Sequence, residues 1–180
     1  MKSFARIATI ATAAAICLAT VSIPAYAQST LTDEQRDRIK ANCLSIKNTL
    51  TQLRASDALL RINRGQVYEA MGTKLMDRFN ARLGGNAFDV RGLTTLTKGY
   101  DDRLALFRVH YEDYARQLGD VIKIDCTKDP DAFHLAVGNA RTKRQVVHED
   151  VLRLHTYIDD YRSSVNDFRT DFEQLSEDNS

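Results

Sequence analysis

The residues best suited to chemistry are the four histidines, His110, His134, His148 and His155, and the charged residues around them. His148-Glu149 opens like H-E-x-x-H, the helical pattern in which two histidines one turn apart hold zinc and the glutamate serves as base. Position 152 is Leu, so the second ligand is missing. His148 and His155 can share a helix face, which by itself makes no metal site. The E-x-x-H carboxylate pattern of di-iron bundles is missing, as is C-x-x-C-H for haem attachment. There is no G-x-S-x-G elbow, P-loop or dinucleotide fingerprint. No nucleophile–base pair is visible. The sequence therefore predicts a protein without metal, cofactor or enzymatic activity.

The N-terminus carries an address. Lys2 and Arg6 lead into an apolar run from Ile7 to Ile23, and Pro24-Ala25-Tyr26-Ala27 follows as an A-x-A cleavage site. This is the layout of a signal peptide over residues 1–27, with an uncleaved anchor as the alternative. Cys17 does not make a lipoprotein signal, because Ile16 stands where a small residue is needed. Cleavage after Ala27 leaves one domain, residues 28–180, with no later apolar run long enough to span a bilayer. The chain has 25 basic and 24 acidic residues, and losing Lys2 and Arg6 turns its net charge from +1 to −1. That balance offers no electrostatic footprint for nucleic acid or for an anionic membrane.

Export leaves Cys43 and Cys126 in an oxidising compartment, where an even pair reads as a disulfide. Two buried free thiols are the alternative.

The elements that carry these residues are helices. The mature chain has one proline, Pro130, and its only glycine pair is Gly84-Gly85, too little punctuation for strands and turns. Thr32 with Gln35 forms a capping box. From there Ile39, Cys43, Ile46, Leu50 and Leu53 recur every three or four places. The pattern stumbles at Ala55-Ser56-Asp57 and resumes through Leu60, Val67, Met71, Leu75, Phe79 and Leu83. Gly84-Gly85-Asn86 predicts a left-handed helix end. A second helix carries Leu93, Leu96, Tyr100, Leu104, Phe107, Tyr111, Tyr114, Leu118 and Val121. Asp129 caps a third, with Pro130 in its first turn, where a missing N–H costs nothing. There a heptad seam runs from Phe133 to Leu175, broken by one polar residue, Arg144. The predicted fold is all-α: an elongated antiparallel three-helix bundle with coiled-coil character, stapled by Cys43–Cys126. Four helices, by a break near Ser56, is the alternative.

Setting Cys43 beside Cys126 fixes which residues lie at the same height. Asp57 then faces Glu112, which faces Arg144. Arg61 faces Arg108, which faces His148. These six converge at mid-height, where the first arm loses its apolar pattern. They read as a structural polar layer that fixes register. The alternative is a pocket for a small ligand or anion, with the arginines as clamps.

Two resemblances follow. Leu31-Thr32-x-x-Gln35-Arg36 resembles the LTxxQ motif of Spy/CpxP-type periplasmic chaperones, which are small, exported and helical. Those proteins carry the motif twice, and this sequence has one copy. Arg61-Ile62-Asn63-Arg64-Gly65-Gln66-Val67-Tyr68-Glu69, with Lys74-Leu75-Met76, Asp125-Cys126, Lys143-Arg144 and Val147-His148, resembles uncharacterised exported helical proteins of small host-attached bacteria. That resemblance implies fold and export but no activity. The expected function is an exported binding or scaffold module, in the periplasm, at the cell envelope or outside the cell, with another protein as its partner. A Spy-like chaperone and a small-anion binder are the alternatives.

Overall fold

The computed structural model describes residues 31–178, with side chains to 174. The signal peptide read over residues 1–27 lies outside the described residues. The described chain is helical, without a strand. Its elements are α1 (Asp33–Ala41), α2 (Cys43–Ala70), a π-helical segment (Met71–Met76), α3 (Asp77–Gly85), α4 (Arg91–Lys123) and α5 (Pro130–Asp178). The first three helices and the π segment form one arm, and α4 and α5 form the other two. No described helix is long and apolar enough to cross a membrane.

Local chemistry sets the ends. The Thr32 hydroxyl accepts the Gln35 amide at 3.3 Å while Gln35 Oε1 accepts the Thr32 amide at 2.8 Å, which closes the capping box. Asp129 Oδ1 accepts the Ala132 amide at 2.9 Å and so starts α5. The left-handed residue after α3 is Ala87, with φ 63°, and not a glycine. The Phe88 amide returns to the Leu83 carbonyl at 3.1 Å and the Ala87 amide to Gly84 at 3.1 Å, the paired bonds of a Schellman end. The turn therefore falls just beyond the expected glycines.

The interruptions of the first arm also differ from expectation. α2 runs unbroken through Ser56, and the irregularities sit at Asn42 and in the π segment. A π turn admits an extra residue and rotates the helix beyond it. Two buried tyrosines brace this one. The Tyr100 hydroxyl donates to the Tyr68 carbonyl at 2.7 Å, and the Tyr161 hydroxyl lies 2.7 Å from Asn80 Oδ1 and 3.2 Å from the Met76 carbonyl. At Gly72 a Cβ would sit 2.9 Å from Asp101 Oδ1 and 3.4 Å from the Tyr100 ring, so the segment lies close against α4 and a larger residue would require the Asp101 carboxylate to move.

α4 is the middle rod. Its buried stripe, from Leu93 through Tyr100, Phe107 and Tyr114 to Val121, serves both neighbours. The core divides in two along it. One cluster surrounds the Cys43–Cys126 disulfide, whose Cα atoms are 5.6 Å apart, with Tyr114, Leu118, Val121 and Phe133. The other surrounds the π segment, with Tyr68, Met76, Leu104 and Leu154. Burying these side chains contributes roughly 2 kcal/mol each. The predicted first-arm seam is buried only in part. Leu60, Val67 and Leu75 are 50, 58 and 57 % exposed, because Asp57 and Tyr68 take the inward positions.

Candidate functional site

A cavity of about 530 Å³ opens between α2 and α5 where the two core clusters meet. Its floor is aromatic: Phe107, Tyr111 and Tyr114, one face of α4, all buried. Tyr68 and half-exposed Leu60 supply apolar surface from α2, and Val147 and Val151 supply it from α5. The rim is cationic. Arg61 and Arg64 stand on one side and Arg141 and Arg144 on the other, where the His148 ring also lines the cavity.

Polar contacts from α2 to α5 bound the cavity at both ends. At one end Arg144 Nε and Nη2 donate to Asp57 Oδ2 and Oδ1 at 3.1 and 3.2 Å. The Tyr114 hydroxyl donates to the same Asp57 Oδ2 at 2.7 Å. At the other end the Tyr68 hydroxyl meets His155 Nε2 at 3.0 Å. Asp57 is 8 % exposed, and its three donors satisfy it. Its charge marks the neighbours. Its hydrogen bond holds the Arg144 guanidinium above its ordinary pKa. Burial, then the Asp57 hydrogen bond, pushes the Tyr114 hydroxyl well up. Burial, then the charge of Asp57, also raises Tyr111.

Four of the six residues expected at mid-height, Asp57, Arg61, Arg144 and His148, line this one cavity. The expected pairings change. Asp57 meets Arg144 directly instead of through Glu112. Glu112, with its side chain 67 % exposed, takes Arg61 at 3.4 Å, and the Arg61 guanidinium also lies 5.1 Å from the centre of the Tyr111 ring. Arg108 turns away to pair with Glu69 and lines a second cavity of about 520 Å³ between α2 and α4. Matching heights places residues along a rod but not around it. Tyr111 and Tyr114 occupy the inward positions of α4, which points Glu112 outward.

The tyrosine floor and the rim arginines Arg64 and Arg141 were not among the expected site residues. The tyrosines had a signal, since they fall on the α4 seam. A second buried carboxylate was also missed. Asp150 is 2 % exposed, accepts Arg103 Nη1 at 2.9 Å and lies 2.6 Å from His110 Nδ1. It ties α5 to α4 and lines neither of the two cavities described. Among the described residues no group of three or more His, Cys, Asp and Glu is placed to hold a metal ion.

The arrangement suits binding. The aromatic floor supplies contact area, and the rim supplies fixed positive charge. No protein-family model matches the chain, and no curated protein or solved structure matches it either.

Proposed function

We propose that this chain is an exported helical binding module of the cell envelope, and that the groove between α2 and α5 is its receptor surface. One observation carries the reading: a buried aromatic floor lies under an exposed cationic rim, in which Arg64 and Arg141 have no hydrogen-bond or ion-pair partner among the described residues. The buried charges of the fold, Asp57 and Asp150, are paired within it, whereas the rim arginines face the groove. The disulfide supports export, and the leader supplies the route. On this reading the module is a binder, not a catalyst.

The test is position-specific. A photo-crosslinking amino acid at position 60, inside the groove, should give a discrete adduct in living cells. The same probe at position 135 should give none; Leu135 is 53 % exposed but lines no described cavity. Equal labelling at both positions would refute the groove as receptor. N-terminal sequencing of the cell-envelope or culture fraction should begin at Gln28.

A second reading is favoured by the outer face of α2. Leu59 and Ile62 are 63 and 54 % exposed on adjacent turns, so a protein partner covering them would make the chain a scaffold. Replacing both with glutamate should then abolish partner capture while leaving the groove adduct intact.

A further inference from the structure

We propose that the groove binds one molecule of a single-chain anionic amphiphile: an extended hydrocarbon body of about a dozen atoms ending in a carboxylate or comparable acidic head. The inference rests on the groove being the receptor surface, and it adds the ligand's length, polarity and charge. Three features of the groove specify them separately.

Length comes from the two bridges. A helix rises about 1.5 Å per residue, so the floor between Asp57–Arg144 and Tyr68–His155 is about 16 Å long. An extended chain advances roughly 1.2 Å per bond, so about a dozen atoms span that floor. A partner helix longer than about eleven residues would overrun the bridges. A short chain fits between them.

Polarity comes from the surface the body would touch. Phe107, Tyr111, Leu60, Val147 and Val151 offer rings and methyl groups, and the hydroxyls of Tyr68 and Tyr114 are already engaged at the bridges. A cavity of about 530 Å³ suits a small molecule and is too small for a folded partner. A dry apolar body on this floor would bury surface now open to solvent.

Charge comes from the rim. The one acidic residue lining the cavity, Asp57, is already neutralised by Arg144. That leaves the Arg64 and Arg141 guanidinium groups with no partner among the described residues. Arg64 stands about one turn short of the Tyr68–His155 bridge and Arg141 about one turn beyond Arg144, so each end of the groove carries a guanidinium that can take an acidic head. The mature chain's near-zero net charge makes this a local concentration of positive charge and not a property of the whole surface.

Isothermal titration of the full mature protein with sodium dodecanoate, below its micelle concentration, tests the proposal. One saturable site per chain is expected. Dodecanol should bind at least tenfold more weakly, and dodecyltrimethylammonium should not bind. The Arg64→Ala/Arg141→Ala variant removes two exposed, unpartnered side chains, so it should keep its melting temperature and lose at least tenfold in dodecanoate affinity. Val151→Trp, which fills the floor, should abolish binding. The proposal is overturned by no saturable heat, by equal binding of the cationic amphiphile, or by undiminished binding to the double arginine variant. It is also overturned if the protein sediments with phosphatidylglycerol vesicles yet takes up no dissolved dodecanoate, since the rim would then serve a membrane surface. If dodecanoate fails while position 60 still yields its adduct in cells, the ligand class falls and the receptor groove stands.

Discussion

Asp57 on α2 and Arg144 on α5, 87 residues apart in sequence, meet through two parallel hydrogen bonds of 3.1 and 3.2 Å, with the Tyr114 hydroxyl of α4 closing the site at 2.7 Å. One carboxylate therefore touches all three arms. It is the point at which the groove's width is set.

Removing that carboxylate should weaken the fold and widen the groove. Asp57→Ala strands the buried Tyr114 hydroxyl and frees Arg144, and should cost about 3 kcal/mol in urea unfolding. Arg144→Ala leaves Asp57 with Tyr114 and water and should cost about 2 kcal/mol. Because the Arg144 side chain is 54 % exposed, solvent screens part of the pairing. A double-mutant cycle should give about 1 kcal/mol of coupling. Strictly additive single losses would show that the two arms are held by packing alone.

The disulfide should contribute more than any single packing contact. Cys43 and Cys126 are 83 residues apart, so opening the bridge releases a long loop in the unfolded chain. The loss should be about 4 kcal/mol in the chain-entropy treatment. Cys126 is 0 % exposed, so the native bond should resist mild reductant until the chain opens. The measurement is the urea midpoint of the wild type against Cys43→Ser/Cys126→Ser, beside a peptide map of the unreduced protein. An unchanged midpoint would mean that the unfolded chain already holds these ends together.

Much of the fold is legible in the sequence because rods with an oily stripe have few ways to pack. The apolar stripe of α4 was readable apart from buried Thr97 and Gly119, with Leu96 only half-buried, and the heptad spacing of α5 predicted its length. The helix ends at Thr32 and Asp129 followed from side chains that bond their own backbone. What escaped was rotation. In the first arm the apolar residues Val67, Met71, Leu75, Phe79 and Leu83 recur at intervals of four alone. A constant interval of four drifts around an α-helix, and the chain absorbs the drift by widening into the π turn at Met71–Met76. That signal was on the page, but its meaning needs the tyrosine braces. The same blindness to rotation paired Asp57 with Glu112 instead of Arg144. Asp150 was hidden for a different reason: beside Val151 it looks like an ordinary surface carboxylate, and only the packing of α5 on α4 buries it.

Ala87 offers a direct way to stabilise the protein. Its φ of 63° is a conformation in which a Cβ is unfavourable. Ala87→Gly should relieve this strain, partly offset by the greater freedom of the unfolded chain, for a net gain of about 0.5–1 kcal/mol. Ala87→Val should lose about 1 kcal/mol or more, since a branched side chain fits the left-handed region worst. Both are read from urea midpoints at constant slope. A loss on Ala87→Gly would show that the Schellman end is held by contacts of the Ala87 methyl.

Alkaline pH should unfold the bundle. Burial, then the charge of Asp77, pushes Tyr161 from its ordinary 10.0 up to about 12. Tyr100 and Tyr114 are also raised, burial being the largest cause for each. Each hydroxyl keeps its proton more tightly in the fold than in the unfolded chain. Their stabilisation is therefore complete below pH 10.0, the ordinary tyrosine value, and is lost as pH climbs toward the folded value of about 12. Tyrosinate absorbance followed together with far-UV circular dichroism should show helix loss coinciding with the late-titrating tyrosines. Tyr161→Phe removes the hydroxyl bonded to Asn80 and should cost about 1 kcal/mol at neutral pH while removing one late-titrating group. Tyrosines that all ionise together near pH 10.0, with the helix signal intact, would mean that these hydroxyls are not sealed in the core.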